Sequence, residues 1–218
     1  MTSLFVSFEG GEGSGKTTLV QALTRRLRQA GLPVQTFREP GSTPLGHKLR
    51  DILLYMPLAP LDHLTATTEL LLFCAARAQF VERVLTPLIQ APERSIILVD
   101  RYADSTRAYQ MFGRRLPWHD VSAAIAMSVR HMWPDLTFFL DIPPQQALAR
   151  MTAHVNRLDA EALTFHEAVY RGYHEIIRHD TTVIPRSTRW RVIDAQRTAD
   201  VVADEVYAQI IERWEGGA

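Results

Sequence analysis

One octapeptide constrains this chain more than any other feature: Gly10-Gly11-Glu12-Gly13-Ser14-Gly15-Lys16-Thr17 fits the spacing GxxxxGK[ST] at every fixed position. It follows a short apolar, β-leaning run, Leu4-Phe5-Val6-Ser7-Phe8, and leads into a helical pattern opening at Thr18-Leu19-Val20. Glycines let the main chain curl so that its N–H groups converge, and a helix starting there presents its positive end. In such a loop Lys16 reaches the β- and γ-phosphates and the Thr17 hydroxyl holds Mg²⁺. A flexible Gly/Ser turn needs none of the flanking strand, lysine or helix. Gly10 through Thr18 are therefore expected to bind a nucleoside triphosphate.

Composition narrows the rest. A length of 218 residues suits one α/β domain over residues 1–218, with room for a small mobile insertion. The 24 basic side chains balance 24 acidic ones, which argues against a dedicated nucleic-acid binder. Lys16 and Lys48 are the only lysines, so the loop lysine stands out among arginines. Cys74 is the only cysteine, which excludes an internal disulfide or a cysteine-cluster metal site. Its neighbours Leu72-Phe73 and Ala75-Ala76 mark it as a buried small apolar residue. The apolar N-terminal run is too short for a signal peptide and no run spans a bilayer. A reducing, cytoplasmic setting without a membrane partner is expected.

Strand-like runs at Leu4–Glu9, Val34–Arg38, Ser95–Asp100, Leu136–Asp141 and Trp190–Asp194 alternate with helical patterns. The latter lie near Thr18–Gln29, Leu45–Leu54, Thr67–Gln90, Val121–Val129, Pro144–Met151, Leu163–His179 and Ala199–Trp214. The alternation predicts a parallel sheet with helices on both faces. Continuous apolar runs suit strands covered on both sides, and functional residues belong at the strands' C-terminal ends.

Those ends are polar. One runs into Arg38-Glu39-Pro40-Gly41 and another into Asp100-Arg101. An acid so placed contacts Mg²⁺ or its waters, and an arginine clamps phosphate; a salt bridge between strand tips fits the same residues. Phe73 and Arg77 are four apart on one helix face, spaced to stack a base and bond its edge, although Phe73 equally fits a core position. Tyr102 through Gln110 combine hydroxyl, amide and aromatic groups suited to a base and sugar. The same stretch also reads as a helix start capped by Asp104 or Ser105. Arg150 and Arg157, between two helices, fit a mobile lid closing on a triphosphate or a solvated charged surface. Asn156-Arg157-Leu158-Asp159 loosely matches the guanine-reading NKxD element but lacks its lysine and a preceding strand.

In this order, the motifs resemble thymidylate kinases over essentially the whole chain. They are Phe8-Glu9-Gly10 through Thr18, Arg38-Glu39-Pro40-Gly41, Glu69-Leu70-Leu71-Leu72-Phe73 with Ala75-Ala76-Arg77, Asp100-Arg101-Tyr102, Leu140-Asp141, and Tyr170-Arg171-Gly172-Tyr173. The loop alone marks a vast superfamily; Arg-Glu-Pro-Gly, Ala-Ala-Arg and Asp-Arg-Tyr in succession are far more specific. The resemblance implies a P-loop NTPase fold with a five-stranded parallel sheet, a lid over about residues 150–162, and usually a homodimer. It implies transfer of the ATP γ-phosphoryl group to dTMP with Mg²⁺.

By the same resemblance, Lys16 and Thr17 handle ATP phosphates and metal, and Asp100 acts through a magnesium-bound water. Glu12 sits beside the acceptor's sugar and phosphate, and Arg38 and Arg101 grip that phosphate. Phe73 stacks on thymine, Arg77 bonds its carbonyl edge, Thr106 lies near N3, and Tyr109 packs under the deoxyribose. Pro40, Leu53, Ser105 and Gln110 complete the dTMP contacts. Gly13 and Ser14 place no arginine in the loop, so the catalytic arginine is expected from the lid, Arg157 first and Arg150 second.

Overall fold

The computed structural model describes residues 3–56, 63–151, 156–183 and 189–217. Strands β1 (Leu4–Glu9), β2 (Val34–Arg38), β3 (Ile96–Asp100), β4 (Leu136–Asp141) and β5 (Trp190–Asp194) form one sheet in the order β2-β3-β1-β4-β5. Every neighbouring pair is parallel. The helices are α1 (Lys16–Gln29), α2 (Pro44–Leu54), α3 (Ala66–Phe80), α4 (Thr86–Gln90), α5 (Ala103–Thr106), α6 (Trp118–Val129), α7 (Pro144–Ala149), α8 (Leu163–Val183) and α9 (Ala199–Gly216). This is the expected α/β P-loop fold.

Alternation along β1 explains why helices cover both faces. Leu4, Val6 and Phe8 point to one side, where they pack with Leu19, Leu23 and Leu27 of α1 and Val206 and Ile210 of α9. Phe5 points to the other, among Leu70 of α3, Val121 and Ile125 of α6, and Ile97 and Val99 of β3. Each of these fully buried side chains contributes roughly 1.5–3 kcal/mol over its exposed state. Cys74 lies in this second cluster, buried as expected. Ser7, a polar residue on that face of β1, is buried and donates to Thr137 Oγ1 of β4 at 3.0 Å.

Edges and helix ends depart from the sequence expectation. β2 is half exposed, because as an edge strand it is covered by fewer neighbours, and Gln35 and Thr36 face out. The pattern expected as one helix over Thr67–Gln90 is α3, then a π-helical stretch Val81–Leu85, then α4. The stretch after Tyr102 is helical too: α5 continues into a π-helical segment, Arg107–Gly113. Neither Asp104 nor Ser105 caps it; Tyr102 holds the cap position without a side-chain bond. Asp104 is buried instead against Arg107 and Arg189. Of the expected lid, residues 152–155 lie outside the described residues.

Candidate active site

The C-terminal ends of β1, β2 and β3 converge, and each contributes a polar side chain by register. Phe8 lies opposite Asp100, and Asp100 opposite Arg38, so the loop after β1 meets the tips of its two neighbours. Helix α1 begins at Lys16, with Gly15 in the left-handed region at φ 93°. The Lys16 ammonium curls back into the loop and donates to the carbonyls of Gly10 (3.0 Å) and Gly11 (2.6 Å) and to Ser14 Oγ (3.0 Å). Burial, with Arg101 nearby, brings this ammonium down to about 8 despite Glu12, Asp100 and Glu9.

Position 13 of the loop has no room for an arginine. Its φ is +71°, and a Cβ there would stand 2.1 Å from the Ala147 carbonyl oxygen of α7. No side chain fits.

Arg101 is the charged hub. It follows β3 with φ 69°, an uncommon conformation for a non-glycine residue. Its Nη1 donates to Gly10 O (2.9 Å) and Ser105 Oγ (3.2 Å), and its Nη2 lies 2.8 Å from Glu12 Oε1. Burial opposes ionisation of Glu12, but Arg101 and Lys16 outweigh it and hold the carboxyl at about 2. The Tyr109 hydroxyl adds a bond to Glu12 at 3.1 Å. Thr17 Oγ1 donates to Asp100 Oδ2 at 2.7 Å. Asp100 Oδ1 is buried without a hydrogen-bond partner among the described residues.

Beside this hub opens a cavity. Arg38, Pro40, Arg101, Ser105, Tyr109, Gln110 and Glu12 line it, with Phe73 and Arg77 from α3 and Thr106 from α5. Arg77 is buried; its Nε donates to Glu39 Oε2 (2.7 Å) and its Nη2 to Thr106 Oγ1 (2.9 Å) and Tyr102 O (3.2 Å). Its Nη1 is buried with no hydrogen-bond partner among the described residues. A donor left so is costly unless something else accepts from it.

A family model for thymidylate kinase matches residues 8–206. The chain belongs to the thymidylate kinase family. The thymidylate kinase of Thermomicrobium roseum is 42% identical over 218 residues, covering 99% of this chain and 98% of the relative. That of Exiguobacterium sp. is 34% identical over 220 residues, covering 100% and 98%. A third, from Roseiflexus sp. strain RS-1, is 39% identical and covers 94% and 92%.

Among the thymidylate kinase-like positions read from sequence, Leu53 stands apart. It is fully buried, its carbonyl accepts from Arg157 Nε (3.1 Å), and Leu54 lines the cavity in its place. The two arginines expected on the lid are each bonded to other parts of the chain. Arg150 Nη1 donates to Ala195 O (2.9 Å), and Arg157 Nη2 donates to Glu69 Oε2 (2.5 Å). Asn156, the residue of the loose NKxD match, forms a local turn: its Oδ1 accepts from Leu158 N (2.9 Å).

Sequence reading missed several wall and support residues. Arg50, Leu54, Asn156 and Leu158 line the cavity; the last two fall within the expected lid, but nothing in the local pattern marks any of the four as a wall residue. Glu39 had a signal: a buried arginine on a helix face needs an acid, and Glu39 sits in the turn after β2. Burial lifts the Glu39 carboxyl above the ordinary range even against Arg77. Glu9, at the end of β1, supports Arg101 through Ser105, accepting from Ser105 Oγ (2.5 Å), Tyr173 OH (3.0 Å) and Tyr102 N (2.8 Å).

Proposed function

We propose that this chain transfers the γ-phosphoryl group of ATP to dTMP, giving ADP and dTDP. The observation that carries the reading is the cavity beside the phosphate loop, lined by an aromatic ring and by a buried guanidinium with one unpartnered terminal nitrogen. A pyrimidine stacked on Phe73 offers Arg77 Nη1 the carbonyl it lacks. Arg38 and Arg101 restrain the acceptor phosphate, and Lys16 takes charge from the donor. The acceptor is already a phosphate oxygen, so positioning and charge neutralisation suffice and no general base is needed. Tyr109, held by Glu12, packs beneath the sugar.

The Thr17 hydroxyl beside Asp100, with its unpartnered buried oxygen, suits a hard cation. Thr17 and Asp100 would hold Mg²⁺, which when bound offsets the negative charge of the triphosphate. Residues 150–162 act as a lid on one domain, 1–218, in this proposal. A homodimer is part of it as well; Leu71 on α3 and Met127 on α6 are exposed apolar residues on helices that pack together. No helix among the described residues is long and apolar enough to cross a membrane, which is compatible with a cytoplasmic setting.

The test is an acceptor panel of dTMP, dUMP, CMP and AMP with ATP and Mg²⁺, following ADP release. The highest kcat/KM is expected for dTMP. Equal or greater activity on AMP would refute the assignment, and tight binding without turnover would make the chain a nucleotide-binding module.

A further inference from the structure

Glu69 is fully buried on α3, yet four donor contacts from two other segments converge on its carboxylate. Gln110 Nε2 (2.8 Å) and Arg114 Nε (3.0 Å) donate to Oε1. Arg114 Nη2 (3.1 Å) and Arg157 Nη2 (2.5 Å) donate to Oε2. Arg114 also meets Glu161 at 2.6 Å and lies over the Phe165 ring of α8. Arg157 is fastened a second and third time, from Nε to Leu53 O and from its backbone N to Leu54 O, both 3.1 Å.

The elements joined here are the walls of the cavity. Glu69, Phe73 and Arg77 recur at i, i+4 and i+8, on one face of α3. Gln110 follows Tyr109 on the π-helical segment, and Asn156 and Leu158, flanking Arg157, also line the cavity. Two guanidiniums, Arg114 and Arg157, thus meet two carboxylates, Glu69 and Glu161. Burial opposes ionisation of Glu69, but Arg114 and Arg157 overcome it and hold the carboxyl below its usual range. Moving Arg157 onto a triphosphate would withdraw one of those compensating charges from a fully buried carboxylate, a costly exchange.

We propose that Glu69 is a positioning residue that latches Arg157, and with it residues 156–161, as the closing wall of the monophosphate-acceptor cavity. Arg157 in this assignment is an acceptor clamp, and the sequence expectation that it carries transition-state charge gives way. The inference rests on the dTMP kinase reading.

Glu69→Gln, Arg157→Gln and the double variant, assayed with dTMP and ATP each varied, decide the matter. Either single variant should raise KM for dTMP about tenfold while KM for ATP stays within about twofold. The double variant should be no worse than the poorer single, because both remove one latch. A merely structural role would not separate the two KM values. A fall in kcat with unchanged KM for dTMP in Arg157→Gln, additive effects, or no effect on either KM would each overturn the latch. If Glu69→Gln does not fold, Arg157→Gln and Arg157→Lys decide on the same split, with lysine expected to recover part of the loss. Wild-type enzyme that fails to phosphorylate dTMP would defeat the dTMP kinase reading itself, separately from these outcomes.

Discussion

Arg77 shows how much a single side chain is asked to do. Its Nε and Nη2 make three contacts, to Glu39, Thr106 and Tyr102, while Nη1 has no hydrogen-bond partner among the described residues. Arg77→Ala should raise KM for dTMP by about 10- to 100-fold with KM for ATP nearly unchanged, the loss of one charge-assisted bond. It should also cost about 3–5 kcal/mol of stability, because Glu39 is left buried without its partner. Removing both residues in Arg77→Ala/Glu39→Ala should return part of that stability without returning dTMP affinity. Steady-state kinetics and urea denaturation of the three variants check this; unchanged dTMP KM in Arg77→Ala sinks the assigned contact. Residue types and spacing made Arg77 readable as a base contact, whereas its pairing with Glu39, 38 positions away, was set by the fold.

Among the elements, the loop and the π-helical segment show local backbone geometry serving the site. Gly13→Ala forces a Cβ onto the Ala147 carbonyl at a positive φ, so α7 or the loop must shift. It should weaken ATP binding at least about tenfold while leaving dTMP binding nearly intact, measured by calorimetry with each nucleotide alone. Wild-type ATP affinity would show that the loop tolerates the shift. The segment Arg107–Gly113 packs against α8, where a Cβ on Gly172 would stand 2.6 Å from the Phe112 ring. Gly172→Ala should therefore cost about 1–3 kcal/mol by overpacking, lowering Tm by several degrees. Unchanged Tm would mean that the ring yields freely. A helix start was legible in that stretch, but its π-helical form was not, because Ala108, Tyr109 and Gln110 serve burial and ligand at once and obey no single period.

At the scale of the whole molecule, buried acids link stability to pH. Burial, reinforced by Asp104, pushes the Glu9 carboxyl up to about 7. Below its ordinary value of 4.5 the folded and unfolded states both keep the proton, and its contribution is complete. As pH rises from there through about 7, the unfolded chain has released the proton and the folded one must follow, so roughly 3 kcal/mol is lost. Glu12, held at about 2, acts in the opposite sense, losing its contribution only as pH falls from 4.5 towards 2. Urea midpoints between pH 5 and 8 should decline for the wild type and flatten in Glu9→Gln; equal slopes would exclude Glu9 as the cause. What the chain's order of residues determined alone was every strand and the phosphate loop. Those depend on continuous apolar runs and on glycines at fixed offsets, both local. Folding alone decided which charge meets which: Glu69 finds Arg157 across 88 positions, and Glu39 finds Arg77 across 38. An unpaired charge is tolerable in water and costly once buried, so the pairing is selected by the shared interior, which no local pattern encodes.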